Sequence, residues 1–376
     1  MSSLTPRERI LAVIAHEPAD RLPTDIWATQ EVWARLYAHF GTNDMIAVYD
    51  HLGIDGIIGI APPYIGPELV VEGQEKDTSE EQSERGDSAV GSHLSSGSGY
   101  YVNEWGMGYR SVAYETGVYD EQVYYPLAKA ETIDDLEAYA WPSPDWYDYS
   151  ALPDLAAAYS DRAIMCGYAA VFYFHNLLRG LELSFMDPIL KPDFTHHLIK
   201  RISDFFNEYH QRCFDAAGHL IDITQVTDDY GSQTGLLISP QMFDSFYRGP
   251  VQSAIDVAKS YGITVFHHDD GDLRPLLPRL TQMGIDVLNP IQWRCGNWDL
   301  TALKADYGPR LCFHGGVDNQ QTLPFGTPDD VIAEVRWLKS TLGKDGTGFV
   351  IAPCHNIQAN TPIENILAMY EAAADG

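Results

Sequence analysis

Residues 263–272 read ITVFHHDDGD. Ile263–Phe266 is a short run of apolar and β-branched residues, the pattern of a buried strand. It runs straight into His267, His268, Asp269, Asp270, Gly271 and Asp272, and the following Leu273–Met283 has helical spacing. Imidazoles and carboxylates at the mouth of a strand bind metals, move protons or hold polar substrates. Asp269 and Asp270 cannot both sit charged in an apolar pocket without a cation, a proton or water. A plainer reading is a strand cap, because Asp and Gly also make the turn that precedes a helix. The rest of the chain separates the two.

The same unit, a short apolar strand with a polar end and then a helix, recurs along the chain. Strands are expected near residues 24, 57, 164, 222, 264, 287, 313 and 350. Helices are expected at Thr5–Ala15, Glu31–Phe40, Ile46–Leu52, Phe174–Phe185, Pro192–Ala217, Pro240–Tyr261, Leu273–Met283, Thr301–Tyr307, Asp329–Leu342 and Ile363–Ala374. Such alternation means parallel strands with right-handed crossovers. Eight units predict an α/β fold, a (β/α)₈ TIM barrel, as a single domain over residues 1–376. A doubly wound open sheet is the alternative. No GxGxxG follows the first strand, so a dinucleotide fold has no support. The rhythm is interrupted over 62–126, read as an inserted excursion after strand 2. Within it Lys76–Gly99 is polar enough for disorder, and Tyr100–Tyr125 alternates as a β-hairpin does.

The chain has 376 residues and a formal charge of −29. That charge argues against a nucleic-acid or anionic-membrane partner, both of which need clustered Lys and Arg. The five cysteines are odd in number and form no CxxC pair, so they read as reduced thiols of a cytoplasmic protein. The first residues, MSSLTPRERILAVIAHEP, have no uninterrupted apolar core and read as neither signal peptide nor membrane span.

In a barrel the site lies at the carboxyl ends of the strands. Read in order, those ends carry Asp25 and Trp27; Tyr168, Tyr173 and His175; Asp228, Asp229 and Gln233; His267–Asp270; Asn289, Gln292 and Trp293; His314, Asp318 and Gln320; and Cys354, His355, Asn356 and Gln358. Strand caps alone would give Asp, Asn, Ser and Gly, not repeated His and Gln, which favours an active site. His268 and Asp270 stand two apart, so an extended strand end puts both on one face. With His355 or Cys354 they would make three metal ligands and leave an open position, the pattern of catalytic zinc. A metal-free site, with Asp228 or Asp229 as base and His355 as acid, fits the same residues.

Several blocks resemble the uroporphyrinogen decarboxylase (URO-D) superfamily. They are RERILAVIAHEPADRLP (7–23), FHHDDGD (266–272), GIDVLNPIQ (284–292), DLTALKADYG (299–308), FHGGVDNQQTL (313–323), GTPDDVIAEV (326–335) and IAPCHNIQANTPIENILAMYEA (351–372). The resemblance implies the same barrel with one of two chemistries. Decarboxylases of the superfamily act on porphyrinogens without a cofactor, using arginines and a carboxylate. Its zinc-dependent methyltransferases move a methyl group between a corrinoid and a thiol, with His-x-Cys near strand five and a later Cys near strand eight. In this chain the decarboxylases' arginine-containing amino-terminal signature is missing. His268 matches the methyltransferase histidine, Asp270 stands in place of the cysteine, and His355, beside Cys354, falls about where the second cysteine belongs.

The expectation is therefore a metal-assisted methyltransferase on a small substrate. Zinc would sit on His268, Asp270 and His355 or Cys354. Asp228, Asp229 and His267 are the expected catalytic groups. Asp25, Tyr168, Gln233, Asn289, Gln292 and Asp318 are the expected substrate-binding groups. The resemblance implies a corrinoid as methyl carrier on a partner protein, and a barrel rim leaves room for a homodimer. The alternative is a cofactor-free decarboxylase of uroporphyrinogen or another carboxylated substrate. A third reading, a catalytically silent barrel that binds a partner, is disfavoured by the number of polar strand ends.

Overall fold

The computed structural model describes residues 4–67, 100–114 and 117–375. The expected polar loop Lys76–Gly99 lies outside the described residues. The first helix, Pro6–Ile14, has Pro6 at its start and Thr5 as N-cap, in a reciprocal capping box with Glu8. Strand β1 (Ile57–Ile60) follows. Next, β2 (Tyr100–Val102), β3 (Gly108–Tyr114) and β4 (Gly117–Tyr124) form a separate antiparallel sheet. The parallel framework resumes with β5 (Ala163–Ala169) and β6 (Ile223–Val226). A two-residue pair, β7 (Gly231–Ser232) and β8 (Gly235–Leu236), follows β6. The last strands are β9 (Thr264–His268), β10 (Val287–Asn289), β11 (Cys312–Val317) and β12 (Phe349–Pro353).

The main sheet has seven parallel strands in the order β1-β5-β6-β9-β10-β11-β12. That order follows the chain throughout, whereas a doubly wound sheet reverses direction at a switch point. The expected strand near residue 24 is instead an irregular extended segment. Thr24 and Ala28 make single parallel bridges to Ile351 and Ile357. On its other side, Thr24 O accepts from the Asp55 and Gly56 N–H groups at 3.1 and 3.0 Å. The segment thus meets both β12 and the entry to β1, and the sheet is curled.

The packing has two layers. Phe266, Val287, Cys312 and Val350 share a cluster with Ala163 and Ile223, sealed by Ile10, Val13 and Ile14 of the first helix. Their strand neighbours Val265, Leu288, Phe313 and Ile351 belong to the larger cluster shared with the surrounding helices. Alternation along each strand therefore assigns every residue to the inner or the outer face. His268, Asn289 and His314 have inner parity; His267 has outer parity.

Some helices break where the sequence suggested continuity. The run from 174 to 185 splits into Val171–Arg179 and Leu181–Leu190 around Gly180. The helix expected from Leu273 begins at Leu277, after Pro275 and with Pro278 in its first turn. Among the described residues no helix is long and apolar enough to cross a membrane.

The long helix Pro192–Ala217 packs on β5 and carries His210, buried beside Thr224. Burial pushes the His210 pKa down to about 3. The unfolded imidazole titrates near its ordinary value of 6.5. Between the two values the unfolded chain holds one proton more, so stability falls as pH drops from 6.5 towards 3. His210→Leu is expected to reduce the slope of unfolding free energy against pH in that window by about 1.4 kcal/mol per pH unit. Urea denaturation at pH 5 and pH 7, beside wild type, measures it.

Candidate metal or acid–base site

Strand β9 delivers His268, and the turn after it delivers Asp270. The turn is held tightly. A Cβ on Gly231 would come within 2.1 Å of the Asp270 carbonyl oxygen. Gly271 has φ +86°, and a Cβ there would reach the Ser232 nitrogen at 2.5 Å. The loops after β6 and β9 therefore touch backbone to backbone, which only glycine allows. Gly271 N–H also donates to Gln292 Oε1 at 2.7 Å, and Asp272 N–H to Ser232 O at 2.8 Å.

His355 comes from the loop after β12. Ligand atoms of His268, Asp270 and His355 all lie within 4.8 Å of one another. His268 Nε2 stands 3.9 Å from Asp270 Oδ1 and 3.9 Å from Asp229 Oδ1. His355 Nε2 stands 3.7 Å from Asp270 Oδ2. Asp270 Oδ1 is buried with no hydrogen-bond partner. Trp27 packs its ring 5.4 Å from His268 and 6.2 Å from His355.

The two imidazoles face the site differently. His268 Nδ1 is 2.6 Å from Asn289 Oδ1. His355 Nδ1 accepts the Asn356 N–H at 2.7 Å, so the neutral His355 ring carries its hydrogen on Nε2. Burial lowers the His355 pKa, against the pull of Asp270. Burial raises the Asp229 carboxyl, partly offset by His268. It raises Asp228 well above the usual range, even though Asp228 accepts from Tyr230 Oη at 2.6 Å and from Tyr173 N–H at 2.8 Å.

The expected site residues divide into groups. His268, Asp270 and His355 converge, with Asp229 at their edge. Cys354 does not join them: its sulfur is buried and donates to Ile291 O at 3.4 Å. Burial holds that thiol well above its ordinary pKa, the opposite of what a thiolate ligand needs. His267 points the other way, with Nδ1 donating to Val226 O at 2.7 Å and its pKa pushed down to about 4 by burial. Asp228 lies behind Asp229 among aromatic rings. Tyr168 packs on Phe174 and Phe206. Asp318 caps a helix start, accepting from the N–H groups of Gln320, Gln321 and Thr322 and paired with Arg294 at 2.7 Å. Asn289 bonds to His268 and, on its other side, to His314, which meets Asp25.

A cavity of about 320 Å³ opens over Asp270 and His355. Gln233 and Gln292 line it, with Ser232, Asn319, Gln320 and Gln358. Ser232 and Asn319 were not among the strand-end candidates, although each adjoins one, Gln233 and Gln320. Among the described residues no Lys or Arg lines this cavity. A larger hollow of about 410 Å³ lies beside Thr322, Phe325 and Arg294. It holds none of the histidines, and Arg294 is neutralised there by Asp318 and Glu334.

The family model described as uroporphyrinogen decarboxylase (URO-D) matches residues 165–375. No curated protein matches the chain. Among solved structures, a methyltransferase from Methanosarcina mazei is similar over 99% of this chain and 98% of its own, at 19% identity and a TM-score of 0.64. That likeness is one of fold. A D-psicose 3-epimerase solved with D-fructose (11% identity, 61% of this chain, 84% of its own) and xylanase 10B from Thermotoga maritima (10%, 62%, 81%) each reach a TM-score of 0.38, too low to bear on the argument.

Proposed function

Because this chain belongs to the uroporphyrinogen decarboxylase (URO-D) superfamily, whose members include methyltransferases, we propose that it is a metal-assisted methyltransferase acting on a small substrate. The observation that carries the proposal is the convergence of His268, Asp270 and His355 at the carboxyl ends of the parallel strands. We read the Pro23–Ala28 segment as the eighth stave of a (β/α)₈ barrel, a single domain over 1–376 with 62–126 as an excursion.

The donor set suits zinc. His268 offers a lone pair, and Asp270 Oδ1 is buried without a partner. His355 offers its nitrogen once the bond from Asn356 N–H is given up. That bond is worth about 1 kcal/mol net, small against the roughly 10–16 kcal/mol of a structural zinc site. A zinc ion held there would supply Lewis acidity to a bound methyl acceptor. Asp229, its carboxyl raised by burial beside His268, takes the acceptor's proton. Gln233 and Gln292 orient the substrate from the cavity wall. A wall whose described residues include no Lys or Arg suits a small substrate better than a porphyrinogen with many carboxylates. A corrinoid carried by a partner protein is the methyl carrier that the family resemblance suggests.

A metal-free decarboxylase is the second reading, and His355 favours it. As placed, His355 presents an N–H opposite the lone pair of His268, an acid facing a base. Metal content of the protein purified without chelators separates the two. About one zinc per chain supports the methyltransferase reading. No metal in folded protein that has been offered zinc overturns it, and carboxylated substrates are then assayed for CO₂ release.

A further inference from the structure

Behind His268 runs a chain of three hydrogen bonds that crosses the inner face of the sheet. His268 and Asn289 are register partners on β9 and β10, and His314 follows on β11. Asn289 Nδ2 is 2.7 Å from His314 Nδ1, and His314 Nε2 is 2.9 Å from Asp25 Oδ2. Asp25, His314 and Asn289 are all buried. The other Asp25 oxygen, Oδ1, accepts the Ile57 N–H at 3.1 Å.

With a carboxylate at the far end, one set of hydrogens satisfies every link. The carboxylate only accepts, so His314 carries its hydrogen on Nε2 and keeps a lone pair on Nδ1. That lone pair takes an N–H from Asn289, whose oxygen is thereby turned to His268 Nδ1. The Asn289 oxygen accepts a hydrogen from Nδ1 and leaves His268 with a lone pair on Nε2, the atom facing Asp270 and Asp229. We propose that Asp25 is a positioning residue which, through His314 and Asn289, fixes His268 as a lone-pair donor at the site. The consequence for metal binding rests on the zinc reading above; the tautomer itself does not.

The relay makes an unusual demand on an isosteric change. In Asp25→Asn the oxygen stays with the Ile57 N–H, and the new NH₂ faces His314. His314 must then accept on Nε2 and carry its hydrogen on Nδ1. The Asn289 amide turns over to accept it and donates to His268 Nδ1. His268 ends with its hydrogen on Nε2, where a ligand needs a lone pair. An Asp→Asn change behind a histidine elsewhere acts by the same loss of tautomer. The double variant Asp25→Asn, Asn289→Asp restores it, because a carboxylate between the two rings accepts from both.

Histidine side-chain ¹H–¹⁵N spectra of the metal-free protein, with His268 assigned through His268→Gln, read the tautomer directly. The expected result is hydrogen on Nδ1 in wild type, on Nε2 in Asp25→Asn, and on Nδ1 again in the double variant. Zinc affinity is expected to weaken by about 10–100-fold in Asp25→Asn and to recover in the double variant, which a loss of packing would not do. Hydrogen on Nε2 in wild type, or a tautomer unmoved by Asp25→Asn, overturns the relay. Tautomers that switch as expected in a protein that takes up no zinc leave the relay standing and overturn the metal reading.

Discussion

His268→Ala is expected to fold and to contain no zinc, where wild type contains about one ion per chain. The side chain is 14% exposed and stands at the carboxyl end of β9. Its removal deprives Asn289 Oδ1 of its hydrogen, a cost of about 1–3 kcal/mol that a domain of this size withstands. Two ligands then remain of three, and one of them, His355, must break its bond from Asn356 N–H to serve. Any turnover found for wild type is expected to fall by at least about 10²–10⁴-fold, the range seen when a positioned acid or base is lost. Turnover falls under either chemistry, so metal content decides between them. Cys354→Ser is the companion measurement and is expected to keep its zinc, because that sulfur is bonded to Ile291 O outside the group. Full zinc occupancy in His268→Ala would remove this histidine from the ligand set.

The largest effect on stability is expected at Asp55, far from any cavity. Its carboxylate is fully buried and bonded to Arg9, to Arg21 at 2.7 and 3.0 Å, and to the Thr24 N–H at 3.0 Å. Arg9 in turn holds Asp20 at 2.6 Å and Leu4 O at 2.7 Å. One carboxylate therefore ties the first helix, the Asp20–Arg21 turn and the segment that carries Asp25. Asp55→Ala takes one of two carboxylates from the nearly buried Arg9 guanidinium, the Asp55 carboxylate from Arg21, and the acceptor from the Thr24 N–H. Removing one partner of a buried ion pair costs about 3–5 kcal/mol. The expected reading is a lower urea midpoint at unchanged m-value, and a change under about 1 kcal/mol would mean that water replaces the carboxylate. A weaker zinc affinity should accompany the loss, because the segment that Asp55 fixes is the anchor of the relay to His268.

Much of this was legible along the chain. The β/α rhythm, the polar strand ends and the blocks at 266–272 and 351–372 gave the α/β class with its parallel sheet, the superfamily and three candidate residues that the fold brings together. Parity carried further than its first use. His268 and Asp270 were paired because they stand two apart, and the same count places His267 on the outer face. Reading it from Phe266, whose neighbours line the inside, would have removed His267 from the catalytic set. Cys354 and His355 could not be ranked by position, because a loop beyond a strand end has no fixed period.

Local sequence determined the elements and which strand end each polar group occupies, because strand period, capping and proline act between near neighbours. Tertiary structure decided the partners. Asp25 and His314 are 289 residues apart and meet only because the curled sheet brings the first extended segment against the last strand. Asp318 has the composition of a strand-end ligand and serves as a helix cap because the next turn aims three N–H groups at it. Hydrogen bonds act over about 3 Å, and no pattern in a linear chain specifies which distant groups will come that close.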